Sequence, residues 1–202
     1  MNSFDASFWN QRFGGDGYLY GTEPNAFLAE HHALLRGPVL SLSEGAGRNA
    51  VFLAAQGLDV LGVDYSAVAL DKATRLAASR GVAIRTQLAD LSSYEPKTGH
   101  YGAVISIFAH LPSGIRRRLY PLIAQALEPG GILLLEAYSE SQLTRDTGGP
   151  RDPDLLMTVD KLRLEFPDLQ PLLLQETLRD VSEGAGHSGM ASVVQFIGRR
   201  PA

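Results

Sequence analysis

No cysteine occurs in the 202 residues, which excludes a disulfide, a thiolate metal site and a cysteine nucleophile. Tryptophan is nearly as scarce, with Trp9 alone. No stretch approaches the roughly 18 uninterrupted apolar residues that cross a membrane. The opening MNSFDASFWNQRF has neither the basic nor the apolar region of a secretory leader. A basic excess is missing too: 18 Lys and Arg face 22 Asp and Glu, for a net charge of −4, where a nucleic-acid surface needs clustered positive charge. We therefore expect a soluble, cytoplasmic protein with no nucleic-acid or membrane partner and no bound metal.

At 45% hydrophobic, the chain suffices for one well-cored α/β domain and is short for two. The expectation is a single domain over 1–202, with an N-terminal segment at 1–24 and a core at 25–202. Its centre is VLSLSEGAGRNAVFLAAQGLDVLGVD, residues 39–64. Val39 to Leu42 lack clean alternation, as in a parallel strand covered on both faces. Gly45 and Gly47 let the backbone turn sharply and approach a ligand. Ala50, Val51, Leu53 and Ala54 follow at helical spacing, Gly57 sits at the helix C-terminus, and a second strand delivers Asp64. GAGRNA fits G-x-G-x-x-A, and Asp64 lies 64 − 45 = 19 residues past the first glycine. That spacing suits an acid on a ribose hydroxyl of NAD and, equally, of S-adenosylmethionine (SAM). Glu44 tips the choice toward SAM, because a carboxylate there repels a pyrophosphate and attracts an ammonium or sulfonium.

Around this centre, residues 4 to 13 predict a short helix carrying Phe4, Phe8, Trp9 and Phe13. So apolar a patch must fold back, either as a cap on the core or as a lid over a ligand. GGDGYLYGTEP, with Tyr18 and Tyr20, reads as a flexible connector, and Asn25 or Thr22 caps a helix to about Arg36. Ser66 starts a helix ended by Gly81, and Val82 to Leu88 form a third strand that delivers Asp90. A fourth strand, Ala103 to Phe108, leads to His110. Pro112 opens a helix to about Leu127, on whose solvated face Arg116, Arg117 and Arg118 are expected. EPGG ends that helix in a tight turn before a fifth, buried strand, GILLLEAY. SESQLTRDTGGPRDPDL reads as a long loop or flap, in which Arg145 and Arg151 could attract an anionic substrate. After a helix around Val159 to Phe166 come two strands, Pro171 to Val181 and Ala191 to Gly198. The loop SEGAGHSGM between them makes them antiparallel. Ligands of a parallel sheet sit outside the carboxyl ends of its strands, which gathers Gly45, Asp64, Asp90 and His110 on one rim.

EGAGRNA after strand one, VDYS after strand two, ADL after strand three, LEPGG before strand five and the final strand pair together resemble a class I SAM-dependent methyltransferase. FWNQRF followed by YGTEPNAFLAE resembles the small bacterial branch related to tellurite-resistance methyltransferases and, more distantly, thiopurine S-methyltransferase. The resemblance implies an α/β, doubly wound, Rossmann-like fold with a seven-stranded, mostly parallel sheet in the order 3-2-1-4-5-7-6, the last strand antiparallel. It implies SAM as cofactor, with S-adenosylhomocysteine (SAH) as product. Ser43, Glu44, Gly45, Gly47 and Asn49 would form the cofactor turn, Asp64 and Tyr65 would hold the ribose, and Asp90 and Leu91 would bracket the adenine. Phe108 completes that set, and Trp9, Arg12 and Tyr20 would cover it from the N-terminal segment. Ser41 departs from the pattern, since many class I enzymes have an acid in that strand.

Methyl transfer to a soft nucleophile asks mainly for positioning and desolvation. The expected function is therefore methylation of a small-molecule acceptor, a thiol or a chalcogen species such as tellurite or selenite. Tyr20, His110 and His187 are the catalytic candidates, a histidine accepting a proton or holding an anionic acceptor. Two other readings remain open, an NAD-dependent oxidoreductase and a SAM-binding protein without catalysis. The expected assembly is a monomer or weak homodimer.

Overall fold

The computed structural model describes residues 6–184 and 187–202, the side chain of His187 excepted. Phe4 lies outside the described residues. Seven strands form one sheet: β1 (Val39–Leu42), β2 (Val60–Asp64), β3 (Arg85–Leu88), β4 (Tyr101–Ile107), β5 (Leu127–Tyr138), β6 (Gln170–Glu183) and β7 (His187–Arg199). Their order is β3-β2-β1-β4-β5-β7-β6. The first five pair in parallel with their neighbours, and β7 runs antiparallel to both β5 and β6.

The central strands alternate their side chains between two cores, as the period of a strand requires. Leu40, Leu42, Val104, Leu133 and Leu135 join one core. On that side lie α5 (Ser113–Ala126), through Leu119 and Ile123, and α6 (Val159–Glu165), through Leu162. Val39, Ala103, Ile105 and Leu134 join the other, covered by α2 (Ala26–His31) and α3 (Arg48–Ala55). α4 (Ala67–Ser79) packs beside α3 through Leu76 and Ala77. Helix starts are held as the side chains predict: Asn25 accepts from Leu28 N at 3.0 Å and Ser66 from Ala69 N at 3.1 Å, each filling an otherwise orphaned donor.

Several elements differ from the expectation. α2 ends at His31 and continues only as a 3-10 turn, His32–Leu34. β3 is four residues long, because Val82 and Ile84 pack against the α3–α4 interface instead of pairing. The EPGG turn lies inside a strand: Tyr101 pairs with Leu127 and Ala103 with Ile132. The intervening residues bulge out, with Gly130 at φ 75°, as a bulge accommodates extra residues. The final pair is longer than its apolar patterning suggests, and Glu183 still pairs with His187. Arg116 is not on a solvated face; it is 2% exposed and donates to Leu111 O and Asp154 O, both at 2.5 Å, and to Glu165 at 3.0 Å. Among the described residues no helix is long and apolar enough to cross a membrane.

Candidate active site

A cavity of about 500 Å³ opens at the carboxyl ends of β1, β2 and β4. One end follows the glycine turn and the termini of β2 and β3. Ser43, Glu44, Gly45 and Asn49 line it, with Asp64, Tyr65, Asp90 and Leu91 from the next two strands. The other end is built by Phe108, His110, Leu111 and Pro112 after β4, Ile115 in the first turn of α5, and Gly148, Pro150 and Leu155 from the segment after β5. Phe8, Trp9, Arg12 and Tyr20 cover it from α1 (Ala6–Phe13) and the connector that follows.

Among the described residues, three that are not glycine have positive φ: Ser43 at 49°, Phe108 at 52° and His110 at 41°. All three line this cavity. Left-handed backbone costs a side-chain-bearing residue about 1 to 3 kcal/mol and concentrates where a site needs an unusual geometry.

The turn is fixed by its own carboxylates. Asp64 Oδ2 accepts from Gly45 N and Oδ1 from Ser66 N, both at 2.8 Å. Burial pushes the Asp64 carboxyl above the usual range, opposed by these backbone donors. Glu44 is buried as well; Oε1 accepts from Ala50 N at 2.9 Å, and Oε2 shares a hydrogen bond with Ser41 Oγ. Its carboxyl is raised to about 7, chiefly by burial. The acid missing at Ser41 is thus supplied from the turn, and both Glu44 oxygens are engaged within the protein. Asn49 Oδ1 accepts from Asn25 N at 3.0 Å and ties the turn to α2. Asp90 Oδ1 accepts from Ser92 N at 2.7 Å.

Gly47 is the one expected cofactor residue that does not line the cavity. At φ 98° it faces α4, where a Cβ would stand 2.6 Å from Ala73 Cα, so it lets two helices close. His110 and Tyr20 are on the cavity wall, whereas the side chain of His187 lies outside the described residues. Arg145 and Arg151 are not on the wall; Arg151 pairs with Asp146 at 2.7 Å in the open.

The N-terminal segment is docked over this cavity. The Phe13 ring lies against Gly45, where a Cβ would approach Phe13 Cζ to 3.3 Å. Asn10 Oδ1 accepts from Ser66 Oγ at 2.7 Å. Lys72 Nζ donates to Gly17 O at 2.8 Å and to Gly15 O, and Arg12 Nε donates to Tyr20 OH at 3.1 Å.

Behind the turn lies a buried ionic network that sequence reasoning missed. Glu136, fully buried on β5, accepts from Arg179 at 2.5 and 3.0 Å and from Asn25 and Gln195 at 2.7 Å. Glu183 accepts from Arg48 at 2.6 Å and from Arg179 at 2.8 Å. One signal was available, a single charge inside the apolar run ILLLEAY.

The strand order and the glycine turn with its following carboxylates define a Rossmann-like methyltransferase fold. Residues 39–131, just under half of the chain, match the methyltransferase domain family. The chain is 27% identical, over 145 residues, to a 2-heptyl-1-hydroxyquinolin-4(1H)-one methyltransferase of Mycobacteroides abscessus. That match takes in 69% of this chain and spans 64% of the relative's length. Among solved structures, the one described for conversion of a disulfide bond into a thioacetal group during echinomycin biosynthesis superimposes with a TM-score of 0.75 at 22% identity, covering 97% of this chain and 92% of the other. TehB from Haemophilus influenzae gives 0.69 at 16% identity, over 96% of this chain and 66% of the other.

Proposed function

We propose that the chain transfers a methyl group from SAM to a small-molecule acceptor that is a soft nucleophile. The observation that carries this reading is the joining, in one cavity, of the turn and carboxylate rim with a wall of mostly apolar side chains. The rim fits SAM: Asp64 accepts from the backbone N–H of Gly45 and Ser66, with Tyr65 N–H a third donor, and a carboxylate has about four lone-pair sites, which leaves room for a ribose hydroxyl. In this reading Asp90 and Leu91, on the cavity wall, would bracket the adenine, and the side-chain-free face of Gly45 admits close approach. SAM supplies an electrophilic methyl group: an acceptor lone pair forms the bond to carbon, the carbon–sulfonium bond breaks onto sulfur, and the acceptor proton leaves to a base or water. His110 is our candidate for that base, and Tyr20, held by Arg12, for closing the site. Among the described residues, no group of three or more His, Asp or Glu is placed to hold a metal. The quinolone methyltransferase of M. abscessus supports a small-molecule acceptor.

Calorimetric titration with SAM, SAH and NADH tests the cofactor. SAM and SAH should bind at micromolar levels and NADH should be silent; binding of NADH alone would overturn the reading. Asp64→Asn should weaken SAH by roughly 1 to 3 kcal/mol, and unchanged affinity would remove Asp64 from the ribose. His110→Ala should cut turnover while leaving SAH affinity intact. Equal loss of both would make His110 structural.

A further inference from the structure

The two ends of the cavity differ in charge. Of the charged residues that line it, Glu44, Asp64 and Asp90 belong to the glycine turn and the ends of β2 and β3, Arg48 opens α3, and Arg12 reaches in from α1 beside Phe8 and Trp9. Glu44 is held by Ser41 and Ala50, Asp64 by Gly45 and Ser66 and Asp90 by Ser92; Arg12 bonds Tyr20 through Nε, and Arg48 pairs with Glu183 through Nη2 while its Nη1 is buried without a hydrogen-bond partner among the described residues. The segment after β4, the first turn of α5 and the segment after β5 place no Lys, Arg, Asp or Glu on the wall among the described residues. The guanidinium behind that wall, Arg179, lies 6.0 Å from the Phe108 ring and already donates to Glu136 and Glu183, so an oxyanion against the wall would give up hydration for a cation whose charge is matched by those carboxylates.

What that end offers is rings. Phe108 and His110 are backed by the fully buried Tyr138, whose ring lies 4.7 Å from Phe108 and 5.4 Å from His110, the latter pair only 6° from parallel. The backbone of Gly149 closes on the same stack: at φ 92° it leaves no room for a Cβ, which would stand 2.8 Å from the Tyr138 ring. Gln142, 1% exposed, holds that segment by donating to Thr147 Oγ1 and Gly148 O at 2.9 Å while accepting from Ser192 N. The expected flap is thus pinned to β7 as a wall. Phe8 and Trp9 add a second aromatic group from α1, 5.3 Å apart. Flat rings recognise flat rings by offset stacking and edge contacts, and a rigid wall keeps the slot shaped for them.

Resting on the methyltransferase reading, we infer that the acceptor is a planar, uncharged aryl or heteroaryl molecule carrying the nucleophilic atom, taken in preference to a chalcogen oxyanion. Binding and turnover are tested separately. Neutral thioanisole and cyclohexyl methyl sulfide, matched in size, are titrated into SAH-loaded protein, with emission of Trp9, the sole tryptophan, as readout. Thioanisole should bind at least tenfold tighter. Thiophenol with SAM should give thioanisole and SAH in equal amounts, and selenite should give no SAH. Ile115→Lys, which puts a cation at the apolar end, should weaken thioanisole at least tenfold and leave SAH within twofold. Equal binding of the two sulfides, or turnover of selenite at a rate matching thiophenol, overturns the inference. Failure of SAH to bind discards the methyltransferase reading instead. The sulfides titrated into ligand-free protein then decide the aryl slot: preference for thioanisole keeps it, and none removes it.

Discussion

Glu44 holds a proton that an exposed glutamate would have lost. Its carboxyl titrates at about 7 instead of 4.5 because burial disfavours the charged form more than Ser41, Ala50 N and Arg48 favour it. The folded state therefore binds the proton more tightly than the unfolded chain. The stability Glu44 contributes is fully present below pH 4.5 and is lost as pH rises through 7. A displacement of 7 − 4.5 = 2.5 corresponds to about 3 kcal/mol. Asp64 is raised as well and adds to the slope in the same direction. Glu44→Gln removes the larger part, so between pH 5 and pH 8 the wild type should lose about 3 kcal/mol more unfolding free energy than the variant in urea titrations. Parallel pH profiles would mean that Glu44 is ionised throughout, and the inward-turned carboxyl would have to be charged when ligand arrives.

At the scale of the element, α1 is a separate piece latched onto the Rossmann core. Its contacts to α4 run through Asn10 with Ser66, and just beyond its end Lys72 Nζ meets the carbonyls of Gly15 and Gly17. Charge-assisted bonds of this kind are worth about 1.5 to 3 kcal/mol. Lys72→Met should therefore raise amide exchange across Trp9 to Tyr18 about tenfold or more while leaving the β4 and β5 amides as they were. Uniform acceleration would show that α1 unfolds only with the whole domain. The glycines around this latch and the aromatic patch at 8 to 13 were legible in the sequence because each states a local need. So were the five parallel strands, the Asn25 and Ser66 caps and the rim acids, which depend on short spacings. The EPGG bulge, the pinned segment after β5 and the buried Arg116 were not. Each is decided by partners far along the chain, Tyr101 for the bulge, Ser192 for Gln142 and Glu165 for Arg116, and local periodicity carries no trace of them.

For the whole molecule, the network around Glu136 and Glu183 joins parts that lie 111 and 158 residues apart in sequence, as the bonds from Asn25 to each carboxylate show. It connects the N-cap of α2, the start of α3 through Arg48, and the antiparallel pair through Arg179. Two guanidinium groups face two carboxylates in a place where Glu136 has no exposure and Glu183 has 6%. Buried pairs of this kind gain little over an apolar core, yet removing one partner strands the other and costs about 3 to 5 kcal/mol. Glu136→Gln and Arg179→Met should each destabilise the fold by about that amount. The double variant should lose clearly less than the sum, because neither charge is then left alone. A coupling of about 2 kcal/mol would mean that the C-terminal strand pair and the glycine turn unfold as one cooperative body, so that a ligand bound at the turn protects β6 and β7 from exchange. Strict additivity would make Arg179 a local prop for β6, and protection by ligand should then stop at β5.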